Sequence, residues 1–117
     1  MNNRSNEERR QYERISKSFI LSYYDQASPK HKYEITQLKN ISFGGMCFVT
    51  SQSYAPSIKL GIEMKTPYLS GTTHLQGVVK ESHEKMKDRI YETRLEFEPL
   101  GTEAKVLLEK LIELFAE

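Results

Sequence analysis

The chain has 117 residues, which is enough for one domain with a real hydrophobic core but not for two. Its formal net charge of +1 excludes a generally basic nucleic-acid-binding protein, because affinity for phosphate backbones needs a strongly cationic face. The single cysteine, Cys47, permits no internal disulfide and indicates a reducing compartment. The polar amino terminus and the lack of a long apolar run predict a cytoplasmic protein with no signal peptide and no membrane insertion.

Residues 1–17 are polar and contain four of the six arginines in the chain, including Arg9, Arg10 and Arg14. None of the first 16 residues is a lysine. The preference for arginine favours planar, bidentate or stacking recognition over simple charge. The alternative is the start of an amphipathic helix in which neighbouring glutamates pair with the arginines. We expect these residues to form an arm that is flexible when nothing holds it.

Six short β-prone segments follow the arm at regular spacing, which predicts a small antiparallel barrel or sandwich. The segments are 18–25, 32–41, 46–50, 57–64, 73–81 and 91–97. The clearest alternation of apolar and polar residues is in 57–64, the pattern of a half-buried strand. Gly77 in the fifth segment predicts a bulge or tight bend, and residues 82–88 are interpreted as a charged connection.

The last predicted element is an amphipathic α-helix that packs against the barrel. Thr102 can cap its start, and Glu103 lies in the first turn, where the helix dipole favours an acidic side chain. The apolar stripe consists of Leu107, Leu108, Leu111, Ile112 and Phe115. Val106 and Leu114 lie off the stripe, either as scatter or as a weak contact with a partner or a second copy.

A turn with small polar residues and two glycines, residues 40–45, separates the second and third predicted strands. Asn40 and Ser42 can form hydrogen bonds with a ligand or with neighbouring backbone groups. Glycine permits positive φ and leaves room for something to approach the backbone closely. An ordinary turn at the end of a strand would have a similar composition, so the turn alone does not indicate a binding site.

Two motifs occur in order along the chain. Arg10 to Arg14 has the form Arg-x-x-x-Arg, and Asn40 to Gly45 has the form Asn-x-Ser-x-x-Gly. Together with the six short strands they resemble the PilZ domain, a bacterial module that binds the second messenger cyclic di-GMP. The resemblance covers nearly the whole chain. It implies a mainly β fold, a small six-stranded antiparallel β-barrel with a C-terminal helix over residues 18–117, and a ligand-clamping arm over residues 1–17.

The resemblance also implies a set of contacts with cyclic di-GMP. The implied ligand-binding residues are Arg9, Arg10, Arg14, Asn40, Ser42 and Gly45. Arginine suits this ligand because its guanidinium group can donate two hydrogen bonds at once, to guanine O6 and N7 or to a phosphate, and can also stack on a purine. The family accepts Asp or Asn at the first position of the second motif, and Asn40 offers an amide in place of a charge. Arg9 either adds a contact, with one ligand molecule or a second, or is a solvent-facing charge.

Catalytic residues, metal ligands and cofactor motifs are not predicted, so we expect no enzyme. The three histidines fall on separate segments without a cluster of cysteines or carboxylates at ligand spacing. Ligand binding is expected to order the arm, and the changed surface is expected to be read by a downstream protein partner. DNA and RNA are not expected partners, and the protein is expected to be a monomer or a weak homodimer.

Two other functions remain open. One is a PilZ-like adaptor that binds a protein and no nucleotide. The other is a small barrel that binds single-stranded nucleic acid, which the near-neutral charge makes the least favoured.

Overall fold

The computed structural model describes residues 13–14, 20–65 and 71–116. These residues form eight strands and one helix: β1 (Glu13–Arg14), β2 (Ile20–Asp25), β3 (Tyr33–Ile35), β4 (Gln37–Ile41), β5 (Gly45–Thr50), β6 (Lys59–Lys65), β7 (Thr73–Met86), β8 (Ile90–Phe97) and α1 (Thr102–Ala116). Every strand pair is antiparallel. The predicted fold class, mainly β with a C-terminal helix, is therefore confirmed, with a larger number of strands.

The additional strands have simple origins. Residues 13–14, within the predicted arm, pair with β4, and the predicted segment 32–41 is divided at Thr36 into β3 and β4. The strand order is β1-β4-β5-β8-β7-β6-β2-β3, so β3 and β4 lie towards opposite ends of the sheet. One intervening residue bridges no more than about 7 Å between strand ends. The sheet must therefore curl into a half-barrel that brings its two ends together.

The core lies between the inner face of this sheet and one face of α1. The predicted alternation in the segment 57–64 is confirmed, because Leu60, Ile62 and Met64 are fully buried while Lys59 and Lys65 are exposed. Burial of each such side chain contributes about 1.5–3 kcal/mol. The helix contributes Ala104, Leu107, Leu108 and Leu111 to the same core.

The aromatic part of the core surrounds Tyr23. Its ring centroid lies 5.2 Å from that of Phe48 and 6.1 Å from that of Tyr54, which the loop before β6 carries inward. Burial, and then the neighbouring Tyr54, raise the pKa of Tyr23 to about 12. The Tyr23 hydroxyl group therefore stays neutral and can donate a hydrogen bond.

Strand β7 is longer than predicted. Residues 82–86 were interpreted as part of a charged connection, but they continue the strand and pair with β8 from Ser82 opposite Thr93 to Met86 opposite Ile90. The hairpin turns after Met86, where Asp88 adopts the left-handed conformation with φ of 60°. The prediction failed because the tip of this hairpin is exposed on both faces, so its charged residues show no alternation with apolar ones.

Gly77 was predicted to mark a bulge or a tight bend, and the bulge does not lie at this residue. The pairing of β7 is regular at Gly77 and shifts further along the strand. A Cβ atom at Gly77 would lie 3.2 Å from the carbonyl oxygen of Glu96 and 3.2 Å from a methyl carbon of Leu95. This glycine therefore serves tight packing between strands.

Helix α1 confirms the predicted apolar stripe over its described side chains. Val106 is exposed, as predicted, whereas Leu114 is partly buried and packs against the core. The side chain of Phe115 lies outside the described residues. Over residues 20–65 and 71–116, no helix has the length and apolar character needed to cross a membrane.

Candidate ligand-binding site

Among the described strands, the ladder shifts register at three places, and at each place the extra residue is a lysine. These residues are Lys39 in β4 and Lys80 and Lys85 in β7. A β-bulge inserts one residue into a strand, bends it and changes where the following side chains point. The bulges therefore decide which side chains face outward on these two strands.

The bulge at Lys39 turns the second motif outward. Leu38 is fully buried, and strict alternation would place Asn40 on the same inner face as Leu38. Because Lys39 is an extra residue, both Lys39 and Asn40 are exposed, Ile41 packs inward and Ser42 is exposed again. Both polar side chains of the motif are consequently exposed, and that of Asn40 lies on the outer face of the sheet.

The turn after β4 is held by hydrogen bonds of its own. The Ser42 N–H donates to the Gly45 carbonyl oxygen at 2.8 Å, and the Gly44 N–H donates to Ser42 Oγ at 3.2 Å. The Gly44 carbonyl oxygen accepts from the Phe97 N–H at 2.8 Å, which ties the turn to the end of β8. The Ser42 hydroxyl group remains a potential donor, because its oxygen serves here only as an acceptor.

Gly45 lies where two backbones come close together. A Cβ atom at this position would collide with the carbonyl oxygen of Leu95 in β8, whereas one at Gly44 would lie 3.7 Å from Ser42 Oγ, an ordinary contact. Neither glycine has positive φ. The structure thus assigns Gly45 a packing role between strands, and its proposed role in ligand binding stays a prediction.

A groove of about 460 Å³ lies on the outer face beside Asn40, over strands β4, β5, β8 and β7. Its volume falls within the range of about 300–1,000 Å³ that is typical of small-molecule sites. Most of its lining side chains are charged or polar: Lys39, Asn40, Cys47, Glu81, His83, Glu84, Lys85, Glu92 and Arg94. Its charged lining suits a polar ligand.

Glu92 is the buried charge of the groove. The Lys39 Nζ atom lies 3.2 Å from its Oε1 atom, and the Lys85 Nζ atom lies 3.8 Å from its Oε2 atom. The Glu92 side chain is 7% exposed, whereas those of Lys39 and Lys85 are 47% and 46% exposed. Because burying an unpaired carboxylate is costly, the two lysines compensate the charge of Glu92.

Three further lining side chains, of Glu81, His83 and Arg94, interact along one wall of the groove. Arg94 Nε donates to Glu81 Oε1 at 3.2 Å, and His83 Nε2 lies 3.2 Å from the second oxygen of Glu81. The hydrogen bond from Arg94 is the main reason why the pKa of Glu81 is lowered. Within the described part of the chain, no group of three or more His, Cys, Asp or Glu side chains is placed to hold a metal ion.

Cys47 is buried, but it lines the groove and is not part of the core cluster. Burial raises the pKa of its thiol, and the nearby carboxylate of Glu92 adds to the effect. The thiol is therefore protonated at neutral pH and a poor nucleophile.

The first motif is described only in part. Arg14 lies in β1, where it is paired with Gln37, and Glu13 is paired with Leu38. The backbone of Arg14 is thus beside β4, the strand that carries Asn40. Arg9 and Arg10, with most of the predicted arm, lie outside the described residues.

Sequence reasoning missed Lys39, Lys85 and Glu92. They belong to three strands that are distant in sequence, and the residues next to a lysine do not indicate that it forms a β-bulge. The alternation of 91–97 placed Glu92 on the outer face, but burial beneath two lysines could be found only from the pairing of the strands.

The family model described as PilZ domain matches residues 8–114 of this chain. The match includes both motifs, the whole sheet and most of α1. No curated protein matches the sequence significantly.

Several solved structures share the fold. The Bacillus subtilis inhibitor of motility, MotI/DgrA, superposes with a TM-score of 0.58 at 20% identity over 92% of this chain and 52% of that one. K. pneumonia MrkH in its apo state superposes with a TM-score of 0.60 at 17% identity over 90% of this chain and 49% of that one. The chain therefore spans about half the length of these proteins, and at such identities the likeness concerns the fold alone.

Proposed function

We propose, from the premise that this chain belongs to the PilZ domain family, that it is a receptor for cyclic di-GMP and binds it over the groove beside Asn40. One observation carries the proposal. Strand β1, which contains Arg14, pairs with β4, and the outer face of β4 presents Asn40. Arg14 of the first motif and Asn40 of the second, far apart in sequence, thus lie on neighbouring strands.

The direction of β1 supports the same site. Because β1 and β4 are antiparallel, Glu13 is the residue of β1 that lies nearer to the end of β4 carrying Asn40. Arg10 is three residues before Glu13, so its Cα atom is within about 11 Å of that of Glu13. Asn40 lies about 7 Å along β4 from Leu38, the partner of Glu13. Both arginines of the motif can therefore reach a ligand above Asn40.

The chemistry of the two motifs is complementary to the ligand. Cyclic di-GMP carries two phosphates and two guanines, and arginine can fork onto either group or stack on a base. Asn40 offers an amide donor and acceptor, and Ser42 offers a hydroxyl donor. Each bidentate arginine contact contributes about 1–3 kcal/mol, and ordering the arm costs about 1–2 kcal/mol per residue. We expect affinity on the order of micromolar, or about −8 kcal/mol.

The ligand is proposed to act by ordering the arm against the sheet, so that a downstream protein partner reads the changed surface. Isothermal titration calorimetry of the purified chain with cyclic di-GMP tests the binding step. Cyclic di-AMP is the control, because adenine has no O6 acceptor for an arginine fork. The absence of binding at about 100 μM cyclic di-GMP would contradict the proposal.

Replacing Arg14 with lysine is expected to weaken binding of cyclic di-GMP about tenfold or more, although the charge is kept. An ammonium group cannot form the two parallel hydrogen bonds of a guanidinium, and that geometry is worth about 1–3 kcal/mol. The same change at Arg89, at the tip of the β7–β8 hairpin and outside the groove lining, is the matched control. Equal affinities of the two variants in the calorimeter would argue against an arginine clamp.

A PilZ-family adaptor that binds a protein and no nucleotide is the second candidate. It is favoured by the structural roles of two motif residues, since Ser42 Oγ already accepts a hydrogen bond and Gly45 is required for packing. These roles give both residues a function without any ligand. Affinity capture from a cell extract that recovers the same partners with and without cyclic di-GMP would support this candidate.

A further inference from the structure

We infer that Lys39 and Lys85 form a phosphate-binding pair within the groove, and that Glu92 holds both lysines until the phosphates of the nucleotide replace it. The inference rests on the proposed function, and it adds two cations to the ligand contacts that the motifs supply. Its physical basis is the placement of the lysines, their exposure and the balance of charge in the groove.

The lysines reach Glu92 from opposite sides. Glu92 lies on β8, Lys39 comes from β4 across the intervening strand β5, and Lys85 comes from the neighbouring strand β7. Each lysine approaches a different oxygen of the carboxylate. Since adjacent strands are about 4.8 Å apart, β4 and β7 are roughly 14 Å apart across the groove floor. The two ammonium groups therefore converge on the middle of the groove.

An anion that enters the groove meets the lysines before it meets Glu92. About half of each lysine side chain is exposed, whereas Glu92 lies beneath them. An ammonium group has three N–H donors, so contact with one carboxylate oxygen leaves donors for a phosphate oxygen. The lysines are thus already ordered and directed towards the site where a ligand beside Asn40 would lie.

The carboxylates of the groove make cations necessary if an anionic ligand is to bind there. Its lining includes three carboxylates, of Glu81, Glu84 and Glu92, which would repel a dianionic nucleotide. Arg94 is engaged with Glu81, and His83 is placed against the same carboxylate. Lys39 and Lys85 are the cations placed at the centre of the lining, around Glu92. Glu92 therefore competes with the ligand for the lysines and lowers the affinity for phosphate.

The third bulge lysine provides a matched control. Lys80 also occupies a bulge and also faces a glutamate, with its Nζ atom 3.5 Å from Glu96 Oε1. Neither Lys80 nor Glu96 lines the groove. Changing Lys80 therefore repeats the loss of a bulge lysine and an ion pair without touching the proposed site.

The test compares calorimetric titrations of cyclic di-GMP into the wild-type chain and into variants. Lys39→Gln and Lys85→Gln are each expected to weaken binding about tenfold, because a charge-assisted hydrogen bond is lost, while Lys80→Gln leaves affinity within about twofold. The loss in both groove variants should shrink at high ionic strength, since it is electrostatic. Glu92→Gln is expected to tighten binding severalfold, and this gain should be smaller when both groove lysines are already glutamine, because only the direct repulsion of the ligand by Glu92 is then relieved.

The outcomes separate the inference from the function on which it rests. If the wild-type chain does not bind cyclic di-GMP, the proposed function fails and the inference fails with it. If the wild type binds and the two groove variants bind as Lys80→Gln does, the inference alone is wrong. A Glu92→Gln variant that folds and binds more weakly would also overturn it, because the inference makes Glu92 a competitor of the phosphates for the two lysines. Circular dichroism of each variant checks that the sheet is intact.

Discussion

Replacing Gly45 with alanine is expected to lower the free energy of unfolding by about 3 kcal/mol. The added methyl group would collide with the carbonyl oxygen of Leu95, which belongs to the backbone of β8. Backbone cannot move aside by a change of rotamer, so β5 and β8 would have to separate where Gly45 is paired with Glu96. The same separation would displace the turn that carries Ser42, and binding of cyclic di-GMP should weaken together with stability.

The neighbouring glycine supplies the control. Gly44 lies in the same turn without positive φ, and a Cβ atom there would meet only Ser42 Oγ at 3.7 Å. Gly44→Ala is therefore expected to change the free energy of unfolding by no more than about 0.5 kcal/mol. Urea unfolding of both variants at equal m-values measures the difference. Equal stability of the two variants would show that the backbones of β5 and β8 leave room for a methyl group at Gly45.

Replacing Phe48 with alanine is expected to cost about 3–5 kcal/mol of stability. Phe48 is fully buried on β5, its ring packs against that of Tyr23, and it is paired across the ladder with Leu38. The cavity would open beneath the strand that adjoins the groove. Since a domain of this size is stable by about 5–15 kcal/mol, this single change removes a large fraction of the total.

Phe48→Leu keeps most of the buried volume and is expected to cost less than about 1.5 kcal/mol. Thermal unfolding followed by circular dichroism compares both variants with the wild type. A loss below about 1 kcal/mol for Phe48→Ala would mean that the core around Tyr23 collapses into the space or is loosely packed.

The strands with one buried face could be predicted from the sequence for a physical reason. Ile62 and Met64 point inward while Lys65 is exposed, and a period of two is what a half-buried strand produces. Helix α1 was predictable on the same grounds, because Leu107, Leu108 and Leu111 recur at helical spacing. The sequence pattern of such elements depends on local geometry alone.

The bulges could not be predicted, since a shift of register is a relation between two strands. Nothing local distinguishes Lys39 from a lysine in a regular strand, and its extra position follows only from the pairing of Leu38 and Asn40 with β5. Likewise, Thr36 is not a residue that breaks a strand, yet the chain changes neighbours there. The divided strand therefore follows from the curvature of the whole sheet.

The candidate site was predictable only as far as its motifs extend. Asn40 could be named from its motif, but its outward direction depends on the bulge before it. Glu92 could not be named, because the two lysines that pair with it lie on two other strands. Motif recognition thus identified residues near the groove, whereas the buried carboxylate of Glu92 could be found only from the folded sheet.

The thiol of Cys47 allows ligand binding to be followed by chemical labelling of a natural residue. It is the only thiol in the chain, and it lies in the groove wall, buried and protonated. Its rate of labelling by a thiol reagent should therefore be slow and should report how often the groove wall opens. A nucleotide bound over the groove should slow the labelling further, and a rate unchanged at saturation would place the ligand elsewhere. Occupancy can thus be followed in the wild-type chain, without an attached dye or an introduced mutation.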